Sequence, residues 1–218
     1  VSSLVDTETI FGRIVTGYDV EQSVLAVLQE WSSTYLAELE RQHGIPDCSI
    51  ARVRGWQLSP SFDKWPEDQV PGVLVVSTGV PSQPVRHGDG TYRATWSIEV
   101  GAICSARTQQ LSHELAMLTL AAHKTILVQR PSLGGFAAGT KWLSERYDQL
   151  AYDDTRSMYA ASAMLAVEVP DVLVSLAGPV TPDAPPVDEC APLPLWPEVT
   201  TVATIVDHVD VIPPSEGG

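Results

Sequence analysis

Asparagine is absent from this 218-residue chain, and lysine occurs three times against ten arginines. That bias marks a GC-rich coding sequence; it describes the host and excludes no mechanism. Cysteine is scarce. Cys48, Cys104 and Cys190 are odd in number and far apart, so they read as free thiols of a reducing compartment, without the spacing of a metal-ligand set. No run approaches the roughly 20 consecutive apolar residues that span a bilayer. Val1 to Asp6 lack a basic segment followed by an apolar core, so no secretory signal and no membrane partner are expected.

Positive charge is also short. The net charge is −14. Residues 1–176 hold 20 acids and 13 bases, whereas residues 177–218 hold 7 acids and neither Lys nor Arg. Affinity for nucleic acid comes from cations that displace counterions from phosphates, so this chain is a poor DNA grip. An acidic surface suits a conduit past which DNA slides without sticking, and it equally suits plain solubility.

What is present is a scaffold pattern. Tyr92, Ala94, Trp96 and Ile98 alternate with Arg93, Thr95, Ser97 and Glu99 in a run from Thr91 to Ser105, the period-2 signature of a half-buried strand. A helix follows, beginning near Thr108 and stopping at Arg130-Pro131, with Leu111, Leu115, Leu118, Ala122, Thr125 and Ile126 as its apolar stripe. An earlier helix starts at Asp19 as N-cap, with Gln22 three residues on as in a capping box, and ends at Gly44 and Pro46. Its stripe is Val20, Val24, Val27, Leu28, Trp31, Tyr35 and Leu39, with Glu30, Glu38, Glu40 and Arg41 largely off it.

Strands are expected at Ser49–Leu58, Val73–Ser77 (central), Lys141–Ala151 and Ser157–Val169, the last two joined by a turn at Tyr152–Thr155. Residues 59–68, 79–90 and 132–139 read as loops. The expected fold is α+β: a mixed, mainly antiparallel sheet of about four to six strands flanked by two main helices, with an extended C-terminal arm. Residues 1–18 form an N-terminal arm or short strand around Ile10 to Val15, and 19–176 the core. A Pro-rich acidic linker covers 177–198, and a β-prone arm and tail 199–218. Such an arm can add to an exposed sheet edge, its own or a neighbour's.

Candidate chemistry is thin. His113-Glu114 lacks a second histidine one turn on, because position 117 is Met117. Gly134 and Gly139 have phosphate-loop spacing, but Thr140-Lys141 reverses the required order and leads into a strand. No Gly-x-Ser-x-Gly occurs. Asp153-Asp154 fit a solvated turn, and of Asp207, His208 and Asp210 in the tail the neighbours Asp207 and His208 would point to opposite faces of a β-like arm, against a metal site or proton relay. The six tryptophans are dispersed with few cations between them, which favours core and interface anchoring over base stacking. No catalytic residue, cofactor or metal is expected.

Taken in order, these elements resemble the tail terminator (tail-completion) proteins of long-tailed bacteriophages, especially those of high-GC actinobacterial hosts. They are the capped helix Asp19–His43, the strand Val73–Ser77, the aromatic strand Tyr92–Cys104, the helix from Thr108 and the closing strand Met158–Val169. The similarity covers roughly residues 15–172; the extension 177–218 departs from the compact versions. The resemblance implies a structural virion protein and not an enzyme. It implies a homo-oligomeric, hexameric ring that binds the tail tube on one face and the head-closure or connector protein on the other. DNA would pass only in transit through the lumen. A neighbouring connector ring or a tube subunit is the alternative, and a small-molecule-binding or enzymatic domain a more distant one. Interface or lumen candidates are Arg93, Thr95, Ser97, Glu99, Trp196, Val202 and Ile205.

Overall fold

A computed structural model describes residues 14–58, 65–152 and 157–174. The chain divides between Ala177 and Gly178, and everything beyond that division lies outside the described residues. The linker, the arm, Asp153-Asp154 and Thr155 of the expected turn lie outside the described residues, as do Trp196, Val202 and Ile205.

The first element is helix α1, Gly17–His43. Its N-cap is Thr16, not Asp19. The Thr16 hydroxyl accepts from the Asp19 amide at 3.3 Å, and the Asp19 carboxylate accepts from the Thr16 amide at 2.7 Å. Both Thr16/Asp19 and Asp19/Gln22 have capping-box spacing. The earlier pair forms the box, placing the carboxylate on the positive end of the helix dipole. Gly44 closes the helix in the left-handed conformation, as its position predicts.

Strand β1 is short, Gly55–Gln57, and does not fill the expected Ser49–Leu58. The physical reason lies in Glu40. Glu40 is fully buried, against the expectation that it lies off the apolar stripe. Its carboxylate accepts from the amides of Ile50 (2.7 Å) and Cys48 (3.2 Å) and from Arg52 at 2.8 Å. Those amides are thereby taken out of any ladder, and the segment becomes a loop folded onto the end of α1.

β2 (Gly72–Gly79) and β4 (Thr91–Ala106) pair antiparallel. The span between them is more than a loop: β3, Val85–Arg86, pairs with Arg93 and Tyr92. Helix α2, Gln109–Gln129, carries Thr108 as N-cap. A single 3-10 turn, Leu133–Gly135, then leads into β5 (Gly139–Tyr152) and β6 (Ser157–Val174). The sheet order is β1-β2-β4-β6-β5, with β3 paired to β4; β1 and β2 are parallel and the remaining pairs antiparallel. The mixed, mainly antiparallel α+β sheet with two helices is thus present, and β2 is an inner strand with β4 at the centre.

Both helices contribute to the core on one face of the sheet. Val20, Val24, Val27 and Leu28 of α1, and Ala116, Leu120, Ile126 and Leu127 of α2, share it with Val73, Val75, Ile98, Val100, Leu165 and Val167. Of the stripe expected on α2, Ala122 and Ile126 are buried and Leu115, Leu118 and Thr125 half-buried. Leu111 is exposed, and the buried arc includes Ser112, Thr119 and His123, polar residues that a hydropathy pattern assigns to solvent. On the opposite face, a smaller cluster of Trp65, Val70, Leu74, Ile103 and Ala160 covers one end only.

Candidate assembly surface

Alternation along β4 sends Ala94, Trp96, Ile98, Val100 and Ala102 to the helices, so the intervening residues share the other face. The register then builds that face in rows. Thr95 stands beside Glu168, Ser97 beside Ala166, and Glu99 beside Met164. On the far side of β6, Ala166 stands beside Lys141, Met164 beside Ser144 and Ser162 beside Arg146. The sequence-predicted set Arg93, Thr95, Ser97 and Glu99 is therefore brought to one surface, joined by residues that sequence reasoning did not select: Ser162, Met164, Ala166, Glu168, Lys141, Ser144 and Arg146. The signal that could have found them is the parity of β6, where Met158, Ala160, Ser162, Met164, Ala166 and Glu168 alternate with the core residues.

On this face short side chains (Thr95, Ser97, Ser144, Ser162, Ala166) lie between long ones (Arg93, Glu99, Lys141, Arg146, Met164, Glu168). Its charges are mixed. Arg93 pairs with Glu168 at 2.8 Å and Arg146 with Asp148 at 2.7 Å, while Lys141 has no ion-pair partner among the described residues. The acid excess of the chain is not concentrated here, so this face is a poor match for an anionic conduit lining and a better one for a protein contact.

β5 ends the sheet. One side of this 14-residue strand pairs with β6, and no described element pairs with the other. Trp142 is 52% exposed, Leu143 57% and Tyr147 40%. On the helix-facing side, the Lys124 ammonium sits 4.0 Å from the Trp142 ring and pairs with Glu145, which also accepts from the Tyr147 hydroxyl. That hydrogen bond raises the Tyr147 phenol to about 12. For Glu145, partial burial acts upward and is outweighed by the hydrogen bonds from Lys124 and Tyr147, which leave its carboxyl below the ordinary range. The edge thus couples an exposed aromatic pair to a fixed lysine and carboxylate.

The reactive-looking groups elsewhere are tied into packing. His123 Nδ1 lies 2.6 Å from the Thr119 carbonyl, which can only accept, so Nδ1 carries the proton and Nε2 accepts from the Ser32 hydroxyl at 3.0 Å. Ser32 is buried, His123 is fully buried and pushed down to about 4 by that burial, and the third partner is a carbonyl rather than a carboxylate. A nucleophile pair must meet its substrate; this pair instead clasps α1 to α2. Cys104, also buried, lies 3.6 Å from the Thr119 hydroxyl, and its thiol is raised to about 11 by burial. His113 packs its ring against Tyr147 and Tyr159. Among the described residues no three His, Cys, Asp or Glu are placed to hold a metal ion, and no helix is long and apolar enough to cross a membrane.

No protein-family model matches the chain, and no curated protein matches it. Among solved structures, one chain of the "Virion of native gene transfer agent (GTA) particle" is similar at a TM-score of 0.39 and 14% identity, covering 61% of this chain and 91% of that one. A likeness of this degree carries no inference about what the present chain does.

Proposed function

We propose that the chain is a structural protein of a phage-type virion, a ring subunit that terminates the tail tube and joins it to the head connector. The observation that supports this reading is a long edge strand, β5, whose outer side no described element pairs, beside a sheet face that the two helices leave open. The core behind them is closed by two helices, and the described Ser–His pair is sealed inside it. A head-to-tail ring needs two different surfaces on each subunit whose repeated contact closes. The β5 edge offers one such surface.

Loss of the gene from the phage that carries it should yield full heads and separate tails, with tubes of irregular length. Electron microscopy of such lysates reads both features. Joined virions of normal tail length would overturn the proposal; normal-length tails left unjoined would instead mark a connector ring.

A further inference from the structure

The outer edge of β5, which no described element pairs, is the surface that most needs a partner. Long edge strands with exposed apolar side chains template pairing with other chains, and natural proteins cover them, twist them away or charge them. β5 carries bulges at Trp142/Ser144 and Gln149/Ala151, but between them Ser144 to Gln149 run in regular register with β6. Trp142 and Leu143 stand exposed beside that run.

The chain's own sequence holds a segment of fitting chemistry. Residues 199–212 read VTTVATIVDHVDVI, and ten of these fourteen residues are β-branched. Pro197 precedes the segment and Pro213-Pro214 follow it. Because proline cannot donate to a ladder, these residues delimit a strand about as long as β5. One parity is mostly apolar (Val199, Ala203, Ile205, Val209, Val211) and matches the side of β5 that carries Trp142 and Tyr147. Asp207 and Asp210 supply negative charge near an edge whose Lys141 lacks an ion-pair partner among the described residues.

We propose that residues 199–212 of a second copy of this chain add as a strand to the free edge of β5. The intervening 177–198 is rich in proline. A polyproline-type segment of that length spans about 70 Å at roughly 3.1 Å per residue and is semi-rigid. A tether of that reach is long enough to bring the segment to a neighbouring copy. The device requires only a second copy, so it stands or falls separately from the virion reading.

The test mixes an isotopically labelled chain ending at Leu176, which has the edge but no arm, with excess unlabelled full-length chain. Hydrogen exchange is followed at the β5 amides. The outward amides of Ser144 to Gln149 should slow at least tenfold on mixing. A donor carrying Val202→Pro and Ile205→Pro should give no slowing: these positions have opposite parity, so one lost donor faces β5 in either orientation of the strand. Should the shortened chain fail to protect its β4 and β6 amides, full-length chain with the same two prolines serves as the labelled acceptor. Unchanged exchange in the acceptor overturns the proposal, whether the full-length chain alone shows β5 protected (its own arm) or open (no arm).

Discussion

Two buried side chains set how this molecule should respond to acid, and they act in different pH windows. His123 is held neutral, at about 4 against an ordinary 6.5. Between these values the unfolded chain binds a proton that the folded chain refuses, so stability falls as pH drops from 6.5 towards 4, by about 3 kcal/mol for one group. Urea titrations across this range should show a shallower slope for His123→Gln than for the natural chain; parallel slopes would mean that His123 is not the group excluded. Glu40 acts in the same direction but in a lower window. The hydrogen bond from Arg52 leads the causes that lower it to about 2 from 4.5. Its stabilisation is complete above 4.5 and is lost as pH falls through 2. Glu40→Ala leaves Arg52 and two loop amides without their acceptor, which costs about 3 kcal/mol at neutral pH, near the lower end for a broken buried pair because Arg52 is partly exposed. The deficit should shrink in melts taken near pH 2, and a deficit independent of pH would assign it to lost packing instead.

At the scale of elements, the parallel pair β1–β2 depends on two glycines. Gly55 stands opposite Gly72. A Cβ on Gly72 would meet the Trp65 indole at 2.3 Å, and one on Gly55 would meet the Gln69 carbonyl at 2.6 Å. The indole lies on bare backbone there, donating from Nε1 to the Gln69 carbonyl at 3.2 Å, and so seals the Leu74–Ile103–Ala160 cluster. Gly72→Ala should therefore displace Trp65 and cost about 1–3 kcal/mol, with a red-shifted indole emission as its marker; unchanged emission would show that the strand moves rather than the ring. This contact also shows where sequence reasoning stops. The alternation of β4, the end of α1 at Gly44 and the start of α2 near Thr108 are local signals, and they were legible. Trp65 in a polar stretch, Glu40 turned inward and His123 in a helix core were not, because each is made acceptable by partners distant in sequence: Gly72, Arg52 and Ser32. Of the assembly surface, the β4 half was readable from parity. The β6 row also has a readable parity, but placing it beside β4 and adding the β5 row needed the register, and the open edge needed the sheet order.

For the whole molecule, the question is whether the fold and the assembly device are separable. The hydrophobic clusters of the described core close among residues 20–172. The acidic extension 177–218 adds seven negative charges and no positive ones. A chain ending at Leu176 should therefore keep the two-helix core, with a melting temperature within about 3 °C of the full chain, since the ΔΔG involved is well under 1 kcal/mol. Self-association is expected to fall. Sedimentation of both chains over a concentration series measures it, and equal association would remove any role for the extension in assembly. The loops point elsewhere. Gly79–Gly90 and Ser132–Gly139 connect strands and helix at the rims of the sheet, where contacts along a ring axis would be carried. Shortening either loop should leave self-association intact while blocking tube capping or head joining in complementation of the deleted phage. If arm and loop variants fail at the same step, lateral and axial contacts share one surface, and the division between an arm that joins copies and loops that face axial neighbours does not hold.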